Sequence, residues 1–198
     1  MKIESIRALS GPNVYSYRPV LLMRLDLGEL NERESCEFSG FNERLLAILP
    51  GIQNHHCSFG RPGGFVTRLD EGTYFGHIVE HVALELTELA GVGKSHGKTR
   101  HDCGTIYHVA IEYQAKQAST YLLEQAVKLV EALLRNKSFY VAPVVKKRNN
   151  SLTTPKLVQP HARLLTQQRN ATSRADETVL AIVFSSDGES TCATFKRR

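Results

Sequence analysis

The chain has 198 residues, 41% of them hydrophobic, with 25 Lys/Arg against 20 Asp/Glu and a formal net charge of +5. That composition supports one globular core with an appendage, no run of 18 apolar residues offers a membrane span, and residues 1–7 lack an apolar signal stretch. The expected setting is cytoplasmic, with reduced thiols at Cys36, Cys57, Cys103 and Cys192, whose spacing suggests no disulfide pairing. Residues 1–145 carry 15 Lys/Arg and 16 Asp/Glu, whereas residues 146–198 carry 10 and 4, so the basic character belongs to the tail.

In chain order, residues 2–9 and 20–27 read as an antiparallel pair of strands joined through Gly11-Pro12-Asn13. Residues 40–49 read as a short helix stopped by Pro50-Gly51. Residues 54–65 are polar and glycine-rich, suiting either a mobile loop beside a site or a long turn. A helix follows, with Thr73 as its N-cap and Gly91 as its C′ residue. Residues 91–104 read as a loop, 106–113 as a strand and 116–134 as an amphipathic helix. The expected fold is α+β: a two-layer domain over residues 1–145, with helices on one face of a mixed or antiparallel sheet. From Lys146 the composition turns to Ser, Thr, Gln, Asn and Arg, which marks a basic, low-order tail. Within it, residues 178–195 offer either a hairpin or an exposed apolar run. The tail reads as solvated rather than as a nucleic-acid ligand.

Residues 77–81, His-Ile-Val-Glu-His, form the H-x-x-E-H string of inverted zinc peptidases. Helical positions i and i+4 share a face, so His77 and His81 can present two imidazoles to one ion, expected to be zinc. Glu80 projects toward the same ion, placed to take a proton from a water whose pKa the metal lowers to about 7. Ile78, Val79, Val82, Leu86 and Leu89 form an apolar stripe, and His77, Glu80, His81, Glu85 and Glu88 fall opposite it. The plain alternative is a solvated polar face that happens to carry two histidines.

A tetrahedral catalytic site needs a third protein ligand. Glu85 stands about 12 Å along the helix from His77 at 1.5 Å per residue, too far to close on one ion, and is better placed to support His81. Glu112 is the favoured third ligand; the His55-His56-Cys57 cluster, His96, His101, Cys103 and His108 are the other candidates. Gly93-Lys94-Ser95 mimics the end of a P-loop, but the first glycine of that motif falls on Glu88, and ATP binding is rejected.

Several segments in order carry a family resemblance: Gly11-Pro12-Asn13, Met23-Arg24-Leu25-Asp26-Leu27, His56-Cys57-Ser58, Gly63-Gly64-Phe65 and Glu71-Gly72-Thr73. GHIVEHVALEL from Gly76 to Leu86, Glu88-Leu89-Ala90-Gly91 and Ile111-Glu112-Tyr113 continue it. Over these, residues 1 to about 145 resemble the N-terminal domain of cyanophycin synthetase. The resemblance implies a domain that scaffolds the synthetase and holds the Asp–Arg polymer. In many members it also implies a metallopeptidase-like site that clips polymer into primers, whose motif His77, Glu80 and His81 match. The ATP-grasp and Mur-ligase-like modules of the synthetase have no counterpart in these 198 residues, so no ligase activity is expected of the chain alone. Two departures stand out: Arg61-Pro62-Gly63-Gly64 replaces a frequent Cys-Arg-Gly-Gly, and Gln114-Ala115-Lys116-Gln117 replaces acidic residues.

The leading expectation is a zinc-dependent hydrolase cleaving the polymer backbone. His77, His81 and Glu112 would hold the metal, Glu80 would act as general base, and Arg61, Arg68 and Lys94 would read the zwitterionic Asp–Arg side chains. The alternative is a non-catalytic polymer-binding domain, associated with full-length synthetase or with itself, or a truncated remnant. A third reading is a structural-zinc module whose tail meets nucleic acid.

Overall fold

The computed structural model describes residues 1–93, 95–145, 179–184 and 190–195. The chain divides into two units, Met1–Leu152 and Thr153–Arg198.

In the first unit, β1 (Lys2–Leu9) and β2 (Val20–Asp26) pair antiparallel from Lys2↔Asp26 to Leu9↔Val20, with a register shift between Ile3 and Ser5. β3 (Gly97–His101) and β4 (Ile106–Glu112) complete a four-stranded, wholly antiparallel sheet in the order β1-β2-β4-β3. The helices are α1 (Phe41–Ile48), α2 (Gly64–Glu71), α3 (Phe75–Leu89) and α4 (Lys116–Leu134). The fold is α+β, as the alternation of periods implied.

Strand side chains alternate between faces. Leu21, Met23 and Leu25 of β2, with Tyr107, Val109 and Ile111 of β4, share one core with Ile78, Val82 and Leu86 of α3 and Leu122, Leu129 and Leu133 of α4. Val20, Leu22 and Ala110 form a small second cluster on the other face, against Leu9 and Tyr15. Each fully buried Leu or Ile contributes about 1.5–3 kcal/mol. Neither α3 nor α4 has a side-chain hydrogen bond at its N-cap, so packing of these stripes holds both helices.

Three local differences from the sequence reading have plain causes. Residues 97–101 form a strand rather than part of a loop, because GKTRH has no apolar alternation to announce its backbone pairing with β4. α2 was not foreseen; its buried side chains, Phe65 and Leu69, are only one helical repeat apart. The N-cap of α3 is Tyr74, not Thr73: the Thr73 N–H donates to Ser35 Oγ at 3.1 Å and its hydroxyl meets His77. At the other end Gly91 follows the Ala90 C-cap with φ of 65°, as its expected C′ role requires.

In the second unit, β5 (Val179–Phe184) pairs antiparallel with β6 (Ser190–Phe195), from Val179↔Phe195 to Phe184↔Ser190. Their connection and residues 146–178 lie outside the described residues. No helix among the described residues is long and apolar enough to cross a membrane. Because the apolar core of the first unit is built from residues up to Val145, ending the chain there is expected to move the melting temperature by no more than a few degrees. Loss of cooperative unfolding in a calorimetric scan would instead show that residues 146–198 contribute to that core.

Candidate metal centre

α3 turns the middle of its polar face inward and leaves Glu88 exposed. Glu80, His81 and Glu85 are 6%, 5% and 4% exposed, while Leu89 at the end of the apolar stripe is 49% exposed. The solvated-polar-face alternative is therefore excluded. Two glycines make the close approach of the carboxylates feasible. A Cβ at Gly97 of β3 would meet Glu80 Cγ at 2.7 Å, and one at Gly51 would collide with Glu85 Oε1. Gly97→Ala is thus expected to push the Glu80 side chain off β3 and destabilise the domain by about 1–3 kcal/mol, measured by urea unfolding. Unchanged stability would mean that Glu80 shifts freely.

α3, β3 and the segment from Gly51 to Ser58 line a cleft of about 1420 Å³. Within it Cys57 Sγ lies 3.3 Å from His77 Nε2. One donor atom from each of Cys57, His77 and His81 falls within 4.8 Å of the others. Cys57 sits in a short 3-10 turn, Cys57–Phe59, with φ of 53°. Thr73 Oγ1 is 2.9 Å from His77 Nδ1. A proton on that Nδ1 donates to the hydroxyl and leaves the Nε2 lone pair facing Cys57. Phe65 stacks on His81, with centroids 3.8 Å apart and planes 16° apart. Behind His81, its Nδ1 lies 2.9 Å from His55 Nδ1, and His55 Nε2 lies 3.1 Å from Glu85 Oε2.

The electrostatics suit metal binding, which requires neutral imidazoles. Burial, with a smaller contribution from Arg68, lowers His77 to about 4; burial, then His77 and His55, lowers His81 to about 2. One thiol sulfur and two neutral imidazoles form a donor set that fits zinc. Glu80 is pushed up to about 7 by burial, against the opposing hydrogen bond from Thr99 Oγ1 to its Oε2 at 2.6 Å. A carboxyl group titrating near neutrality can both accept and return a proton.

These shifts predict the stability of metal-free protein. The two histidines stay neutral when folded but take protons below 6.5 when unfolded, so their contribution is present above pH 6.5 and falls as pH drops toward 4. Glu80 acts oppositely, favouring the folded state below 4.5 and less so as pH rises through about 7. Two groups outweigh one, so the urea midpoint is expected to fall on acidification from pH 6.5 to 4.5. A flat profile would contradict the buried, neutral histidines.

The structure separates the other sequence candidates. Glu112 does not join the histidines. In β4 the odd-numbered residues face α3, so Glu112 points to the opposite face, where Ser16 Oγ donates to it at 2.5 Å and Arg18 lies 3.8 Å away. Cys57, one of the lesser candidates, stands in its place. His108 is also on the opposite face, 3.0 Å from Tyr15 OH, and His101 meets the Gly104 carbonyl at 2.8 Å. Arg68 lines the cleft, its guanidinium 5.0 Å from the Phe59 ring centre and 3.5 Å from Glu71. Arg61 is exposed and does not line the cleft; Lys94 lies outside the described residues. Sequence reasoning missed Thr73, Thr99 and Phe65. Thr73 was findable, four residues before His77 at the entry to α3; Thr99 and Phe65 arrive from elements with no local signal.

The model of the cyanophycin synthase-like N-terminal domain matches residues 22–135, a span holding every cleft residue described above. The chain belongs to this family. Cyanophycin synthetases from Synechocystis sp. and Nostoc sp. are each 47% identical to it over 137 residues, and that from Crocosphaera subtropica is 44% identical over the same length. The alignments cover 68% of this chain but only 15–16% of these relatives. The matched region thus spans about a sixth of their length.

Proposed function

We propose that this domain holds the Asp–Arg polymer of cyanophycin metabolism in the cleft and hydrolyses its peptide backbone at a zinc ion bound by Cys57, His77 and His81. The observation that carries the reading is the convergence of these three donors within 4.8 Å beside a carboxyl group that titrates near 7. When bound by these residues, zinc would supply Lewis acidity for the scissile carbonyl and would lower the pKa of water. Glu80 takes the proton of the attacking water as its oxygen bonds to the carbonyl carbon. It then returns that proton to the backbone nitrogen as the carbon–nitrogen bond breaks. Thr99 orients Glu80 through its hydroxyl, and Thr73 holds the His77 ring. Arg68 and Lys98 are cations lining the cleft that could meet a polymer carboxylate.

A second reading has the same cleft bind polymer without cleaving it, as a synthetase-associated domain. The family membership favours that setting directly, since the relatives are synthetases. Incubating the protein with cyanophycin and zinc, with and without a chelator, separates the two. Chelator-sensitive release of short Asp–Arg oligomers supports hydrolysis; polymer retention without release supports the binding domain.

A further inference from the structure

We propose that the cleft takes the polymer as an added strand, an extended stretch of its backbone pairing with the free edge of β3. The inference rests on the function proposed above and adds how the chain is held and which peptide bond is presented. β3 is the last strand of the sheet and is bonded to β4 on one side only. Glu112 N–H donates to the His96 carbonyl at 2.9 Å, and Asp102 N–H donates to the Ile106 carbonyl at 2.9 Å. Bonded and non-bonded pairs alternate along an antiparallel ladder, so Lys98 and Arg100 also bond to β4. Gly97, Thr99 and His101 therefore direct their N–H and C=O groups away from β4.

That side is open to the cleft. His96, Gly97, Lys98 and Thr99 all line it, and consecutive strand residues point to opposite faces, so β3 shows the cleft its edge. Among the described residues, no backbone group of another element bonds to Gly97, Thr99 or His101. The Thr99 N–H is taken by the Glu80 carboxylate. An incoming strand thus has Gly97 and His101 as two-way partners, and its peptide bond opposite Thr99 comes beside the general base. Charge selects the occupant. Lys98 and Arg100 are exposed, and GKTRH contains no acidic residue. Basic side chains on a short edge strand disfavour indiscriminate pairing. They favour a strand with carboxylates on the matching face, which the zwitterionic side chains of the polymer supply.

The test is binding of labelled Asp–Arg tetramers to protein kept metal-free by a chelator, read by fluorescence anisotropy. Two tetramers carry equal numbers of backbone N-methyl groups. Methyls on the second and fourth residues leave one edge of the extended tetramer intact, whereas methyls on the second and third block both. The first should bind within about threefold of the unmethylated tetramer, and the second at least about tenfold more weakly. Equal binding of the two overturns the proposal. His101→Pro removes an N–H that β4 does not use and should weaken binding about 3- to 10-fold relative to His101→Ala. If His101→Pro fails to fold, the methylated tetramers still decide. A dimer that pairs β3 with β3 and excludes the tetramer also overturns it. The expected binding pattern without cleavage on adding zinc counts against hydrolysis and leaves the added strand standing. No binding of the unmethylated tetramer overturns both this inference and the polymer-holding cleft.

Discussion

Replacing Glu80 by Gln is expected to retain fold and zinc while slowing polymer cleavage 10²- to 10⁴-fold, or roughly 3–5 kcal/mol of transition-state stabilisation. The amide is nearly isosteric, and its oxygen can still accept the Thr99 hydroxyl held at 2.6 Å in the wild type. It cannot take a proton from water. The measurement is release of short Asp–Arg oligomers at neutral pH by wild type and variant, with zinc content recorded for both. Cleavage that survives both the substitution and a chelator would assign the activity to another site or to a contaminant. Zinc-loaded wild type that releases nothing would leave the binding-domain reading.

The second large effect concerns metal and stability. A ligand that binds only the folded state at 100 times its Kd stabilises by about 2.7 kcal/mol. At roughly 2–4 °C per kcal/mol for a chain of this size, zinc should raise the melting temperature by about 5–10 °C. His77→Ala combined with His81→Ala should abolish the rise, and Cys57→Ala should sharply reduce it. Glu112→Ala should leave the rise intact whatever it does to the baseline, because Glu112 occupies the other face of the sheet. A zinc-induced rise lost with Glu112 but retained without Cys57 would reverse the ligand assignment.

The contrast between Cys57 and Glu112 shows where the sequence stops being legible. His77, Glu80 and His81 were readable because all three lie on one helix, whose period alone fixes their relation. α4 was readable to its ends, since its apolar residues recur over 19 positions. Glu112 failed on strand parity: a shift of one residue sends a side chain to the opposite face, and nothing local says which face meets α3. Cys57 reaches the histidines through a left-handed backbone turn 20 residues upstream of His77, a tertiary fact without periodicity. The burial of the polar face was hidden for a related reason. Its cover comes from β3, whose sequence GKTRH reads as solvated, and from a 3-10 segment, Pro50–Asn54, that reads as a helix stop.

Gly51 and Gly97 both line the cleft, each standing against one of the two buried carboxylates of α3. Neither has a side chain with which to touch substrate or ion, and neither has the positive φ that usually makes glycine obligatory. Their constraint is transmitted through Glu85 and Glu80. In a saturation-mutagenesis map scored by function, these two positions should therefore tolerate as few alternatives as the residues that perform the chemistry. A reader of that map alone would be led to mistake empty space for catalytic groups.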